Sequence, residues 1–329
     1  MGQEDWQNTL YHGDNLTILQ GHIPSGSVDL IYLDPPFNSR RAYHLLLAER
    51  NGHGPRPRVP AFEDCWHWDA TADTTYAEIM ERAPASVASL LSAYCAAVGR
   101  NDLTAYLAMM TTRLVELHRV LADSGSIYLH CDPAASHYLK AIMDAVFGPA
   151  QFRREIIWRS GWVSGFKAAA KNWVRNHDVL LYYVKDSQRF TFNKQYAPHP
   201  AGYRRRGGGG NPAGTAYDDV WTDVYSPWIM SFSHEKLGYL TQKPLALLER
   251  IILASSNPGD LVLDPFGGCG TTLHAAQKLD RRWIGIDIAP VAIAVMRKRL
   301  EAAFPGVPFR VQGGLARAAR DQTDCRQEK

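Results

Sequence analysis

Ser27-Val28-Asp29-Leu30-Ile31-Tyr32-Leu33-Asp34-Pro35-Pro36-Phe37-Asn38 is the stretch on which the reading of this chain turns. From Val28 to Leu33 it is apolar except for Asp29, rich in β-formers and short, the pattern of a parallel strand covered on both faces. Pro35 and Pro36 then stop the pairing, because each fixes its own φ, restricts the residue before it and removes a backbone donor. Asp34 is left at the carboxyl end of a strand beside free carbonyls, with the ring of Phe37 close by. In open α/β sheets that edge is where ligands bind.

A second stretch far downstream repeats the logic: Leu261-Val262-Leu263-Asp264-Pro265-Phe266-Gly267-Gly268-Cys269-Gly270-Thr271-Thr272. A short apolar strand delivers an acid, a glycine-rich bend and a helix starting near Thr271 or Thr272. Glycines let backbone approach a ligand, and a helix start offers unpaired N–H groups. Trp283-Ile284-Gly285-Ile286-Asp287-Ile288 follows, a further strand ending in an acid at the spacing of a ribose-binding carboxylate. The fingerprint G-x-G-x-x-G is absent, which disfavours a nicotinamide or flavin enzyme.

An acid, bare carbonyls and a ring within four residues suit the exocyclic amino group of a nucleobase, a flat donor of two hydrogen bonds. The Asp34 carboxylate and the Pro35 carbonyl each accept one hydrogen, drawing the nitrogen towards a nucleophilic form, while Phe37 stacks on the base. Taken alone, the tetrapeptide also reads as a plain turn at a strand end. Asp34-Pro35-Pro36-Phe37 resembles motif IV of the amino-methyltransferases that act on adenine N6 or cytosine N4 in DNA. The Asp264 to Thr272 bend and Asp287 resemble motifs I and II of the same enzymes, which bind S-adenosyl-L-methionine. The acid-proline strand precedes the glycine bend, an order that resembles their permuted, β-type subgroup.

The resemblance implies an α/β fold: a doubly wound, mostly parallel, seven-stranded Rossmann-like sheet, circularly permuted, with an irregular target-recognition insertion. It implies Asp34, Pro35, Pro36 and Phe37 as catalytic residues. For the cofactor it implies Asp34, Asp264, Pro265, Phe266, Gly267, Gly268, Gly270, Thr271 and Asp287. Gly13-Asp14 resembles motif III, placing Asp14 near the adenosine end, although Asp14 serves equally as a helix N-cap. Thr241-Gln242-Lys243-Pro244 resembles motif X, with Thr241 beside the cofactor and Lys243 paired to its methionine carboxylate. Adenine is preferred over cytosine because the adenine enzymes usually begin motif IV with Asp. Cytosine N4 is the alternative, followed by a non-catalytic cofactor-sensing DNA-binding subunit and by an RNA or protein methyltransferase. The chain departs from the common pattern at Cys269 and Ala289, and neither change removes a group the chemistry needs. Double-stranded DNA is the implied partner, with a homodimer and a cognate restriction endonuclease as further expectations.

At 329 residues and 46% hydrophobic, the chain buries a sizeable core. No apolar run reaches the roughly 20 residues needed to cross a bilayer, and the start is polar, so a cytoplasmic protein is expected. Cys65, Cys95, Cys131, Cys269 and Cys325 are scattered, which argues against a metal site or disulfide framework. A net charge of +3 does not announce nucleic acid, so a DNA surface must come from local clustering.

The expected division is a catalytic half over 10–185, a target-recognition region over 186–236, a cofactor half over 237–310 and a flexible tail over 311–329. Residues 38–75 lose periodicity and read as a mobile loop covering the base or duplex, with Arg40 and Arg41 at its start. His67, between Trp66 and Trp68, reads as structural, as does His130. Helices are expected from Tyr76 to Leu121, broken at Gly99-Arg100, then strands over 126–130, 152–159 and 177–184. The densest basic and aromatic mixture includes Arg159, Lys167, Lys171, Trp173 and Arg175, suited to phosphates and bases. Arg204, Arg205 and Arg206, ahead of four glycines, are the other expected DNA contacts.

Overall fold

The structure is a computed structural model describing residues 7–37, 66–161, 171–199, 211–226, 235–239 and 241–313, with backbone alone for 41–46 and 58–64. Its elements run β1 (Asn8–His12), α1 (Asn15–His22), β2 (Val28–Leu33), β3 (Arg41–Leu46), β4 (Arg58–Asp64), α2 (Ala70–Arg82), α3 (Ala85–Val98) and α4 (Asp102–Val120). Then come β5 (Leu121–Cys131), α5 (Ser136–Phe147), β6 (Phe152–Trp158), β7 (Asp178–Val184), and the two-residue strands β8 (Tyr196–Ala197), β9 (Thr215–Ala216) and β10 (Val220–Trp221). The last part holds α6 (Leu245–Ser255), β11 (Leu261–Asp264), α7 (Thr271–Lys278), β12 (Arg282–Asp287), α8 (Pro290–Ala303) and β13 (Phe309–Gly313).

β2 forms as expected and lies centrally, between β5 and β11. Ile31 and Leu33 enter one core with residues of α1, α3, α4 and α5, while Leu30 and Tyr32 enter the other with α6, α7 and α8. Burying each aliphatic side chain on this strand contributes about 1.5–3 kcal/mol. Asp29, its one charged residue, is used rather than tolerated: Oδ2 accepts the Leu261 N–H at 2.8 Å and ties β2 to the start of β11.

The sheet order is β10-β6-β7-β5-β2-β11-β12-β1-β13. β7 runs against both of its neighbours, and the other pairings are parallel. The doubly wound, mostly parallel sheet is thus present with nine strands among the described residues instead of seven. β1 and β13 account for part of the excess. Residues 8–12 bury only Thr9 and Leu10, and β13 buries none of its five residues, so neither offers an apolar run to read. β10, from the expected recognition region, adds two residues beside β6.

Three boundaries also move. The 38–75 segment is not wholly irregular: β3 and β4 pair as an antiparallel hairpin, and α2 begins at Ala70 with the Asp69 side chain capping it. The helical region breaks a second time, at Ala83 and Pro84, and β5 begins at Leu121 rather than Ser126. α4 starts where Asn101-Asp102 predicts, with Asn101 accepting from Leu103 and Thr104 N–H and the Thr104 hydroxyl accepting from Asn101 N–H. Among the described residues no helix is long and apolar enough to cross a membrane.

Candidate active site

β2 and β11 are neighbours, with Leu30 opposite Val262 and Ile31 opposite Leu263, and both end at the same edge. The chain leaves β11 through α7 towards β12, and the next sheet partner reached from β2 is β5, on the opposite side. A crevice opens where such connections diverge. It is a cavity of about 710 Å³, lined from β2 by Asp34, Pro35, Pro36 and Phe37 and from the glycine bend by Asp264 to Cys269 with Thr271 and Thr272. Asp14, Thr241, Lys243 and Asp287 line it as well. Two pieces of chain more than 200 residues apart therefore share one chamber.

Gly270 is absent from the wall. It precedes α7 at φ 76°, and a Cβ there would sit 2.8 Å from Cγ of Met296. A Cβ on Gly267 would likewise lie 2.8 Å from the Met296 sulfur. Both glycines pack against Met296 of α8, Gly267 while also lining the cavity and Gly270 outside its lining. Gly268 differs: at φ 51° its nearest obstacle is 3.6 Å away, and its N–H donates to Asp287 Oδ2 at 2.8 Å.

The acids at the strand ends are perturbed by their enclosure. Burial pushes the Asp264 carboxyl up to about 7, against hydrogen bonds from Thr272 and the Phe266 N–H. Enclosure pushes Asp287 up to about 6, although it accepts from Ala289, Gly268 and Ile288 N–H groups. Asp287 still opens on the cavity, so solvent there tempers its shift more than that of Asp264, which is 3% exposed. Asp14 is the expected N-cap, with Oδ1 accepting from Thr17 N–H at 3.0 Å, and the residue also lines the chamber.

At the acid-proline tip, Lys243 Nζ donates to Asp34 Oδ2 at 2.6 Å, whereas Asp34 Oδ1 is buried without a hydrogen-bond partner. Phe37 stacks on His130, ring centroids 6.0 Å apart and planes at 22°. His130 is fully buried, as a structural histidine should be, with Nδ1 2.9 Å from the Tyr32 hydroxyl and Nε2 3.4 Å from Asp178 Oδ2. Against the push of burial, contacts with His130 and Arg175 hold Asp178 well below the usual carboxylate range. A polar scaffold thus fixes the floor under Phe37.

Sequence reasoning missed Arg113, Asn15 and Tyr32. Arg113 Nη2 donates to Asp14 Oδ2 at 2.6 Å and Nε to Asn15 Oδ1 at 2.7 Å, and Asn15 Nδ2 donates to the Pro265 carbonyl at 2.8 Å. Ala105, Met109 and Arg113, spaced by four on α4, all line the cavity. A cation on that otherwise apolar face was the available signal.

Of the expected DNA contacts, the described Arg159, Lys171 and Arg175 are not among the residues lining the chamber. Arg159 and Lys171 are exposed, Arg159 donating to the Gly161 carbonyl at 3.0 Å. Arg175 is held by Asp132 at 3.0 Å and Asp178 at 2.7 Å, so a phosphate would have to compete with two carboxylates. Trp173, beside them, is 96% exposed. Arg40, Lys167, Arg204, Arg205 and Arg206 lie outside the described residues, and for Arg41 only the backbone in β3 is described.

A Rossmann-like sheet whose switch point carries an acid-proline tip opposite a glycine bend defines the methyltransferase class of α/β proteins. The DNA methylase family model matches residues 28–298, and the chain belongs to that family of N6/N4 DNA methyltransferases. Type II methyltransferase M.BamHI of Bacillus amyloliquefaciens is 28% identical over 309 residues, 89% of this chain and 56% of its own length. DNA adenine methyltransferase YhdJ of Escherichia coli (strain K12) is 27% identical over 314 residues, 90% of this chain and 83% of its own. The chain therefore spans little more than half of the first relative. The crystal structure of an M1.HpyAVI–SAM complex superimposes with a TM-score of 0.50 at 20% identity, covering 89% of this chain and 98% of that one.

Proposed function

We propose that this chain transfers a methyl group from S-adenosyl-L-methionine to the N6 amino group of adenine in double-stranded DNA, after the base has left the stack. The observation that carries the reading is the shared chamber: Asp34, with one carboxylate oxygen unpartnered, lines the same cavity as the glycine bend and Asp287. The donor fits these residues. Gly268 brings backbone close to the cavity without a side chain, and Asp287 supplies a carboxylate at the end of β12 for ribose hydroxyls. When bound, the donor supplies an electrophilic methyl group on a sulfonium.

The chain's residues would do the rest by placement. An amino nitrogen inside a duplex is out of reach, so the base must be extruded. Asp34 and the Pro35 carbonyl then accept its two hydrogens, and Phe37, backed by His130, supports the ring. Asp34 also offsets the positive charge that develops on nitrogen as the new bond forms. No covalent enzyme intermediate is needed, which leaves the cysteines without a catalytic part. Exposed Lys171 and Trp173 on one segment support a DNA-facing rim. The type II designation of the M.BamHI relative supports a cognate restriction endonuclease as partner.

Incubation with labelled S-adenosylmethionine and separate samples of unmethylated DNA, RNA and protein tests the reading. Label is expected in DNA, and digestion to nucleosides should yield N6-methyladenine. N4-methylcytosine would remove the adenine assignment, and label in RNA or protein alone would remove the DNA one. Asp34→Ala should abolish transfer, and near-normal turnover in that variant contradicts the role given to Asp34.

A further inference from the structure

The Lys243 ammonium occupies the place at which the proposed reaction needs the amino nitrogen. It is an N–H donor 2.6 Å from Asp34 Oδ2 and 5.3 Å from the centroid of the Phe37 ring. The pair is shielded, with the Lys243 and Asp34 side chains 12% and 16% exposed. A cation there opposes the positive charge that transfer builds on the base nitrogen, and it neutralises the carboxylate meant to stabilise that charge. Lys243 must therefore leave before the chemistry, and a shielded ammonium does not leave without another anion to receive it.

The root of the side chain is already placed for such a move. Thr271, the first residue of α7, donates its hydroxyl to the Lys243 carbonyl at 3.3 Å, and Pro244 follows. Lys243 thus starts beside the glycine bend while its ammonium reaches across to β2.

We propose that Lys243 has two stations, Asp34 in the free protein and the amino-acid carboxylate of the methyl donor afterwards, so that Asp34 accepts a base only once the donor is bound. This rests on the methyltransferase reading above and adds an order of binding to it. It also makes Asp34 and the donor carboxylate competitors for one cation, a relation measurable without DNA or turnover.

Calorimetric titration of the full chain with S-adenosylhomocysteine and with 5′-methylthioadenosine tests the competition. The first carries the carboxylate without the sulfonium charge, and the second lacks the amino-acid portion. Asp34→Asn, which keeps the shape and removes the charge, should tighten S-adenosylhomocysteine about tenfold by freeing Lys243. It should leave methylthioadenosine unchanged, and in a Lys243→Met background it should tighten neither. Thermal midpoints of the variants identify loss of folding, for which Asp34→Asn and Lys243→Met are each near-isosteric. No tightening, or tightening that survives Lys243→Met or extends to methylthioadenosine, overturns the proposal while leaving the methyltransferase reading intact. Failure of the wild-type chain to bind either nucleoside overturns both.

Discussion

Asp287 shows how far a single residue can be read. Its place at the end of an apolar strand is visible in the sequence, whereas its charge state depends on what surrounds it. Enclosure raises its carboxyl to about 6, above the ordinary 3.8. Between those values the folded group holds a proton that the unfolded one has lost, so its contribution to stability is complete below about 4 and disappears as pH rises through 6. Ligand hydroxyls prefer the ionised acceptor, which reverses the trend for binding. Affinity for S-adenosylhomocysteine should therefore fall by up to about tenfold per pH unit below 6. Calorimetry from pH 5 to 8 would show this, with proton release on binding, and Asp287→Asn should flatten the profile. An unchanged profile in that variant would assign the titration elsewhere, with Asp264 next in line at about 7.

At the scale of elements, α4 is legible in outline and hidden in function. Its apolar spacing and its Asn101 cap mark it as a core helix, yet Arg113 on it reaches two other segments. One guanidinium fixes Asp14 at the start of α1 and, through Asn15, the Pro265 carbonyl at the entrance of the glycine bend. Arg113→Met keeps the length of the side chain and removes both links. Because Asp14 is 39% exposed, the loss should be about 1–2 kcal/mol, below the roughly 3–5 kcal/mol of a fully buried pair. The donor KM should rise about tenfold with kcat at saturation nearly unchanged, the mark of lost positioning rather than lost chemistry. Equal falls in kcat and kcat/KM would instead place Arg113 in the transition state. β1 and β13 teach the opposite lesson: their places come from pairing with one another and with β12, and their own residues carry no strand pattern.

Across the whole molecule, the slight positive charge leaves any grip on DNA to local clusters. Arg204, Arg205 and Arg206, outside the described residues, form one in the sequence, and Lys171 is exposed in the structure. Replacing the three arginines with alanine should weaken DNA binding and reduce the slope of log affinity against log salt by about 0.9 for each phosphate that is no longer neutralised. Fluorescence anisotropy at several salt concentrations measures both. An unchanged slope would make that segment a connection only. Arg175, held by Asp132 and Asp178, should alter folding stability more than the salt slope.

The sequence by itself determined the central strand, the acid-proline tip, the glycine bend and their order, because burial on both faces, proline geometry and helix-start chemistry are local demands written in neighbouring residues. It could not determine what each side chain would meet. Lys243 against Asp34, Arg113 between Asp14 and Asn15, and Met296 behind two of the glycines join residues far apart in the chain. Those pairings exist only once the described strands have assembled into one sheet, and they settle which acid is paired, which oxygen is free and which glycines lie against Met296.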